Sequence, residues 1–450
     1  MTGVFVFWQK LLFSFLSYGQ MKMRHKYFFR QKGSHDSHKE KNQECCIQIP
    51  SAKDIAQMHN MPAGADEDQF KRLKHMVQVI VDTQSKDSSL PVVTTDVVEL
   101  PTHWNQLFSA MKKGNAEAVL ALFAQFPEKD EILRALLAVH TQEYIQEIIV
   151  YCIQAQQKGW KQLSPDILIT PGAFEVLIKD IAMTLFHSGK IHFSFGLPTH
   201  HAYSNEGSGF CILNKSAVLI KYLQSLSSKP LKHIIVGTDV NRDNGLCDIL
   251  MNSASDMDIC HIDIFDSRVY PQQDDAFISQ TFKQSGKDAG QKIQSWQRGS
   301  LDYFAVDLSL TIRKPGIVHP ALVFALEKIE QQIEQAKKNH QKVALLLPTG
   351  WDSHEEETAY CGKYVEGELM GTAEARKTRF NSKDLIYFYE GLFKLYQENK
   401  NHIERIYWGL EGGYDRNMYE QQVQLLMSLV LKDIVHQETH QIVPDSPKKV

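Results

Sequence analysis

Short apolar runs that alternate with longer amphipathic segments constrain the fold of this chain more than any other feature. The runs of strand length are Ile191–Phe195, His233–Val236, Ile259–Ile264, Tyr303–Leu308, Val343–Leu347 and Ile406–Leu410. Segments whose apolar residues recur every three or four positions separate several of them, namely Asn214–Leu226, Pro320–Lys338 and Lys383–Gln397. Strands joined by helices of this length pair in parallel, so the pattern predicts an α/β fold whose sheet is covered on both faces.

Helical periodicity also appears upstream of these runs, in Asn115–Gln125, Glu131–Gln157 and Ala173–Ser188. Residues 31–50 are polar and poor in apolar side chains, which indicates a linker. We therefore predict one catalytic domain over residues 70–437, a flexible N-terminal extension over 1–69 and a polar tail over 438–450. A hydrophobic fraction of 43% is enough for a sizeable core in such a domain.

The N-terminal extension contains an apolar stretch, Val4–Leu16, which Gln9 and Lys10 interrupt. It is shorter than the about 20 apolar residues that span a bilayer, and it lacks the features of a secretory signal. Basic residues follow between Lys22 and Lys32. The stretch could be an interfacial membrane anchor or a disordered extension, and we favour the second interpretation.

Charge and cysteine content narrow the classes of function. A net charge of −4 gives no electrostatic reason to expect direct nucleic-acid binding. The seven cysteines are odd in number and form no CxxC pair, which argues against a disulfide framework and against a zinc ribbon. We expect a reducing compartment, and therefore a cytoplasmic protein.

Polar residues are concentrated directly after four of the predicted strands. The segments are PTHHAYSNEGSGFC (198–211), GTDVNRDNG (237–245), PTGWDSHEEE (348–357) and LEGGYD (410–415). In a parallel sheet, ligands bind beyond the carboxyl ends of the strands. We therefore expect these four segments, far apart in sequence, to meet at one site.

The four segments contain the groups that amide hydrolysis needs. Asp239 and Asp352 could hold a divalent cation that activates water and polarises the carbonyl. His200 and His201 could transfer protons, because the ordinary pKa of an imidazole lies near neutral pH. Tyr414 follows two glycines and could donate its hydroxyl to a developing oxyanion.

The order and context of these groups resemble a known family, the histone deacetylases and acetylpolyamine amidohydrolases. His200-His201-Ala202 with Gly209-Phe210-Cys211 and Asn214 resembles the family's HHA…GFCxxN segment. WDSHEEE is similar to its GFDxHxxD segment, LEGGYD to its tyrosine loop, and LLAVHTQEYIQEI to its vHxxeYv segment. The resemblance covers roughly residues 130–420 in the correct order.

This resemblance implies a three-layer α/β/α fold of the arginase/deacetylase type and a role for each matching residue. His201 would be the general base, His200 its electrostatic or acid partner, and Tyr414 the oxyanion donor. Gly209, Phe210 and Tyr270 match positions that line the family's channel for an acylated amine. The implied cofactor is one divalent metal, zinc in the family, and the implied substrate is an acylated lysine in a protein or an acylated polyamine.

The metal motif departs from the family's DxDxHHGxG in the stretch from Gly237 to Gly245. Asn241 stands where a histidine ligand is expected, which leaves Asp239, Asn241 and Asp352 as the predicted ligands. These hard oxygen donors would favour Mn²⁺ or Mg²⁺ over Zn²⁺. Gly237 lacks the carboxylate that would orient His200, which we expect to weaken both the hold on that imidazole and the family's monovalent-cation site.

Three hypotheses follow, in order of preference. The first is an active metal-dependent deacetylase, and the second, motivated by Asn241 and Gly237, is a catalytically degenerate relative that binds ligands or partners. The third is a ureohydrolase-like enzyme with two Mn²⁺ ions, because Asp239, Asn241 and Asp243 form a DxNxD motif. Asp243 could then be a third carboxylate ligand, but we slightly favour a role as the cap of the following helix.

Overall fold

The computed structural model describes residues 44–60, 69–227, 231–253, 257–271, 293–311, 313–357, 364–365, 368–369 and 377–436. The predictions for Val4–Leu16, for the basic stretch from Lys22 to Lys32 and for the tail 438–450 concern residues outside these ranges. In the described part of the chain, no helix combines the length and apolar character needed to cross a membrane.

A nine-stranded sheet forms the centre of the protein, in the order β2-β1-β5-β13-β10-β6-β7-β9-β8. All neighbours pair in parallel except β8 and β9. Two small hairpins, β3–β4 and β11–β12, lie apart from it. The strands are β1 Cys45–Ile49, β2 Val92–Thr94, β3 Lys161–Ser164, β4 Ile167–Ile169, β5 Ile191–Ser194, β6 Leu231–Gly237, β7 Asp258–Phe265, β8 Ile293–Arg298, β9 Leu301–Asp307, β10 Lys342–Thr349, β11 Tyr364–Val365, β12 Glu368–Leu369 and β13 Ile403–Leu410.

Helices cover both faces of this sheet, so the predicted α/β fold with a mostly parallel sheet is confirmed. They are α1 Ala52–Ile55, α2 Gln69–Lys86, α3 Thr102–Met111, α4 Ala116–Phe123, α5 Glu131–Leu137, α6 Gln142–Ala155, α7 Ala173–Phe186, α8 Lys215–Leu226, α9 Asn244–Ser253, α10 Pro320–Lys338, α11 Ser382–Asn399 and α12 Arg416–Val430. Short 3₁₀ turns span Thr95–Val97, Leu308–Leu310 and Trp351–Ser353, and a π-helical turn spans Leu431–Val435.

The two faces of the sheet hold separate apolar clusters, because alternate residues of a strand point to opposite sides. In β6, Ile234 and Val236 pack with helices α2, α10, α11 and α12. Ile235, between them, packs on the opposite face with helices α3 to α9. Both faces of the central strands are therefore buried, which explains why these strands are almost continuously apolar in sequence.

Two predictions about chain organisation differ from the structure. The central sheet begins at Cys45–Ile49, inside the region expected to be linker and N-terminal to the domain boundary expected at residue 70. Polar neighbours in the sequence hide this short buried strand. The helix predicted over Glu131–Gln157 is two helices, since the Thr141 side chain accepts a hydrogen bond from the Tyr144 N–H and begins a new helix there.

Candidate active site

The polar loops that follow four adjacent central strands converge at the carboxyl edge of the sheet. The strands β5, β13, β10 and β6 are neighbours in that order. The loop after β5 carries His200 and His201, and the loop after β6 carries Asp239 and Asn241. Asp352 follows β10 and Tyr414 follows β13. Neighbouring parallel strands thus bring together residues that are as many as 214 positions apart.

Asp239 and Asp352 lie close together next to the backbone of Gly350 and Gly412. A β-carbon on Gly412 would lie 1.7 Å from Asp352 Oδ2 and 2.7 Å from Asp239 Oδ2. Both side chains are 1% exposed, and each is held by a backbone N–H. Gly412 donates to Asp239 Oδ2 at 2.8 Å, and Val240 donates to Asp352 Oδ1 at 3.1 Å.

These two buried carboxylates destabilise each other as anions. Burial, followed by the charge of Asp239, raises the pKa of Asp352 to about 8. Burial likewise raises the pKa of Asp239. A cation between them would relieve both effects, because it neutralises the charge that burial and repulsion disfavour. The donor set therefore fits a divalent metal with hard oxygen ligands.

His200 lies beside Asp239 and is held by a different carboxylate at its other ring nitrogen. Its Nδ1 is 2.7 Å from Asp243 Oδ1, and its Nε2 is 3.9 Å from Asp239 Oδ2. Burial alone would lower the pKa of His200, but the carboxylates of Asp239, Glu411 and Asp243 raise it to about 10. These carboxylates therefore favour the protonated form of the His200 imidazole.

His201 has the opposite electrostatic environment. Its Nδ1 is 2.5 Å from Asn244 Oδ1, and the Asn244 amide nitrogen donates to the Tyr203 hydroxyl at 2.7 Å. Because an amide oxygen can only accept, Nδ1 carries the proton and the Nε2 lone pair is left for other partners. Burial and the charge of His200, whose ring centroid is 3.8 Å away, hold the pKa of His201 well below its usual value.

Asp243 corrects two of the sequence-based expectations. Its Oδ1 accepts from His200 Nδ1, and its Oδ2 accepts from His261 Nε2 at 3.0 Å. The carboxylate thus binds two imidazoles and does not cap helix α9. His200 consequently keeps an orienting carboxylate even though Gly237 lacks one. Asp243, His261 and Asp263 form the one group in the described part of the chain whose three possible ligand atoms all lie within 4.8 Å of one another.

Asn241 lies next to Asp239, and its side chain is hydrogen-bonded to the loop that contains Tyr270. Its backbone N–H donates to Asp239 Oδ1 at 2.8 Å, and its side-chain nitrogen donates to the Tyr270 carbonyl at 2.8 Å. The side chain is 3% exposed. Because the side-chain nitrogen is used in this hydrogen bond, the side-chain oxygen is the atom of Asn241 that could bind a metal ion.

Two of the three predicted channel residues, Gly209 and Tyr270, lie against His201. A β-carbon on Gly209 would lie 2.4 Å from His201 Cδ2, and the Tyr270 ring meets the His201 ring edge-on at 5.1 Å. Ser208 and Tyr270 are joined through their hydroxyls at 2.5 Å. Phe210 is fixed through its backbone, which contacts His59 Nε2 at 2.8 Å and Asp166 Oδ2 at 3.2 Å.

Tyr414 is held in a loop that distant residues clamp. The guanidinium of Arg72 lies 4.8 Å from the Tyr414 ring centroid and donates to the carbonyls of residues 411, 412 and 413. Glu357 accepts from the backbone N–H groups of Tyr414 and Asp415 at 2.5 and 3.1 Å. The Tyr414 ring lies edge-on to Phe210 at 6.5 Å, on the side of the predicted channel.

Several residues that support this site were not predicted from the sequence. Glu411 accepts from the backbone N–H groups of Thr199 and His200 and so fixes the start of the histidine loop. Its place directly after a strand and before two glycines was an available signal. His261 is a polar residue inside an apolar strand, which is also informative. Arg72 lies in a helix with ordinary amphipathic periodicity and gave no signal.

Comparisons with known proteins concern most of the chain. The profile of the histone deacetylase domain matches residues 98–430. Over 149 residues the chain is 25% identical to histone deacetylase 8 of Arabidopsis thaliana, a stretch that covers 31% of this chain and 37% of that relative. The crystal structure of the HDA15 HD domain superposes with a TM-score of 0.53 over 87% of this chain and 90% of that one. At 13% identity, this last similarity concerns the three-layer fold.

Proposed function

The chain belongs to the histone deacetylase family, and from this premise we infer that it is a metal-dependent hydrolase that cleaves the amide of an acylated amine. The substrate would be an acylated lysine in a protein or an acylated polyamine. Catalysis would depend on His200, His201 and Tyr414, with Asp239, Asn241 and Asp352 as the metal ligands. Gly209, Phe210 and Tyr270 would line the passage for the acylated chain.

One observation supports this proposal most strongly: two facing buried carboxylates lie beside two stacked imidazoles whose pKa values shift in opposite directions. In enzymes, the acid and the base are typically a pair of titratable groups whose surroundings shift their pKa values in opposite directions. We therefore assign the base to His201 and the charged partner to His200.

The chain's own residues have distinct tasks in this proposal. His201 accepts a proton from water at Nε2, because Asn244 keeps the proton of the ring on Nδ1. His200 stabilises negative charge through its imidazolium and can return a proton to the leaving amine. Tyr414 donates its hydroxyl to the oxyanion of the tetrahedral intermediate. The burial of all three groups excludes bulk water and so strengthens these interactions.

A divalent cation held by Asp239 and Asp352, with the amide oxygen of Asn241, would polarise the scissile carbonyl and make the attacking water more acidic. The family suggests zinc. The oxygen-rich donor set of this chain favours Mn²⁺ or Mg²⁺, so we propose that all three ions be compared. We also propose a cytoplasmic location, in line with the free thiols of the six cysteines among the described residues.

The proposal can be tested with the full chain, stripped of metal with a chelator and then supplied with Zn²⁺, Mn²⁺ or Mg²⁺. Acetyl-lysine peptides and acetylated polyamines would serve as substrates. We expect turnover with at least one ion and a loss of about 100- to 1,000-fold in kcat for Tyr414→Phe, as for the removal of one oxyanion donor. Tyr387→Phe is the matched control, because Tyr387 is 41% exposed on helix α11.

Two results would count against the assignment. Equal kcat values for Tyr414→Phe and the wild type would remove Tyr414 from the chemistry. Absence of turnover with every ion and substrate, in a protein that also retains no divalent cation, would favour the second candidate function. That candidate is a catalytically degenerate relative that binds acylated ligands or partners, and it is motivated by Asn241 in the place of a histidine ligand.

The hypothesis of a ureohydrolase-like enzyme with two Mn²⁺ ions has less support. It needs Asp243 as a third carboxylate ligand, but both oxygens of Asp243 accept hydrogen bonds from imidazoles. Two bound ions per chain would still favour this hypothesis over the deacetylase.

A further inference from the structure

The space next to Gly237, at the end of strand β6, is filled by the side chain of another residue. A β-carbon on Gly237 would lie 2.3 Å from Asp243 Oδ2, 2.9 Å from its Cγ and 3.1 Å from its Oδ1. Any side chain at position 237 would therefore enter the volume that the Asp243 carboxylate occupies. Positions 237 and 243 compete for one carboxylate site, and only one of them can provide it.

The carboxylate in that site makes the contact that orients His200. Asp243 Oδ1 lies 2.7 Å from His200 Nδ1, which is a normal length for a charge-assisted hydrogen bond. This contact fixes the plane of the ring and turns Nε2 toward Asp239, 3.9 Å away. An imidazole that works at a reaction centre depends on such a partner for its orientation.

A second imidazole and a short network hold Asp243 itself in place. His261 Nε2 binds Asp243 Oδ2 at 3.0 Å from the neighbouring strand β7. The Asp243 backbone N–H lies 3.4 Å from Asp263 Oδ1, and the Tyr303 hydroxyl donates to Asp263 Oδ2 at 2.7 Å. Asp243, His261 and Asp263 are each 0% exposed. A buried carboxylate is stable only when both oxygens are satisfied, and this network satisfies them.

We propose that Asp243 is the positioning residue for His200, that it takes the place of the carboxylate missing at Gly237, and that His261 is its anchor. The proposal rests on the proposed function, because it assigns a role in the same site. It predicts that the carboxylate can be moved back to position 237. This chain would then obtain the carboxylate that orients His200 from position 243 instead of position 237.

The test is a carboxylate swap in the full chain. Asp243→Gly removes the group, and we expect kcat to fall about 10- to 100-fold with little change in KM. Gly237→Asp in the wild-type background places two carboxylates in one volume and should lower both kcat and Tm. The double variant Gly237→Asp/Asp243→Gly should regain most of the lost kcat, since one carboxylate again faces His200.

The control is Gly237→Ala/Asp243→Gly, which refills part of the volume without a carboxylate and should not rescue kcat. If Asp243→Gly alone does not fold, recovery of folded protein in the swap variant but not in this control would be the same rescue. Equal binding of divalent cations by all folded variants would separate a positioning effect from loss of metal.

Absence of hydrolysis in the wild type would contradict the proposed function but not the role of Asp243. A second measurement, which does not depend on activity, therefore tests that role. Long-range ¹H–¹⁵N spectra of histidine-labelled protein report the protonation of Nδ1, and His200→Gln assigns the His200 signals. We expect the Nδ1–H signal of His200 in the wild type and the swap variant, and its loss or shift in Asp243→Gly. A folded Asp243→Asn variant with an unchanged His200 signal and full kcat, or a swap variant no better than its alanine control, would overturn the proposal.

Discussion

Gly412→Ala is the most direct test of the facing carboxylates. Gly412 lies between Asp239 and Asp352, and an added methyl group would lie 1.7 Å from Asp352 Oδ2. Since ordinary contacts begin at about 3.4 Å, the carboxylate or the loop must shift by roughly 1.7 Å. That shift is nearly as large as a bond of about 2.0–2.2 Å between a metal ion and a carboxylate oxygen. The backbone of Gly412 has no left-handed φ, so alanine itself is conformationally acceptable there.

We therefore expect Gly412→Ala to weaken the binding of divalent cations by at least about 100-fold, which corresponds to about 2.8 kcal/mol. Isothermal titration of metal-stripped protein with Mn²⁺ and Zn²⁺ would measure this loss, and circular dichroism would check the fold. Gly196→Ala is a matched control, because the nearest atom to its methyl group would be Lys215 Nζ at 3.3 Å. Wild-type affinity in a folded Gly412→Ala protein would refute the site as described.

Three further predictions concern other parts of the molecule. Arg72→Met removes the guanidinium that holds the loop of Tyr414. It should lower kcat about 100-fold in steady-state assays, because a catalytic group displaced by about 1 Å loses that much activity. An unchanged kcat would contradict this. Asn241→His adds a nitrogen ligand and should raise the ratio of Zn²⁺ to Mn²⁺ affinity in a competition titration, whereas an unchanged ratio would exclude Asn241 as a ligand. Burial lowers the pKa of His233 to about 4, so the unfolded chain binds a proton that the folded chain does not, and stability should fall as pH drops below about 6.5. His233→Leu should remove about 2 kcal/mol of the stability lost between pH 7 and pH 5 in urea unfolding, and an equal loss in both proteins would contradict the assignment.

The central part of the fold was predictable because burial on both sheet faces makes a strand recognisable in sequence. All six predicted strands correspond to strands of the sheet, and Pro320–Lys338 has the predicted bounds. Strand β1 was missed because five residues next to a polar segment carry too weak a pattern. The break near Thr141 was missed because apolar periodicity continues through it, and only the side-chain cap reveals the new helix.

The candidate site was predictable where strand ends carry the chemistry, as for Asp239 and Asp352. It was not predictable where two positions compete for one volume. Gly237 taken alone predicts that a carboxylate is lost, whereas Asp243 folds back into the same space. Spacing along the chain cannot reveal such an exchange, because it depends on how strand β6 and the turn after it approach each other.

The contact between Arg72 and the loop of Tyr414 makes the candidate site depend on the docking of helix α2. Arg72 and Gly413 lie 341 positions apart in the sequence, and helix α2 packs against helix α12 next to this contact. Closing a loop of this length costs conformational entropy, which the packing of helix α2 against helix α12 must offset. A state in which helix α2 has separated from helix α12 would lack the clamp on Tyr414 even with the sheet intact. In the proposed hydrolase, separation of helix α2 would therefore lower activity while most of the secondary structure remained.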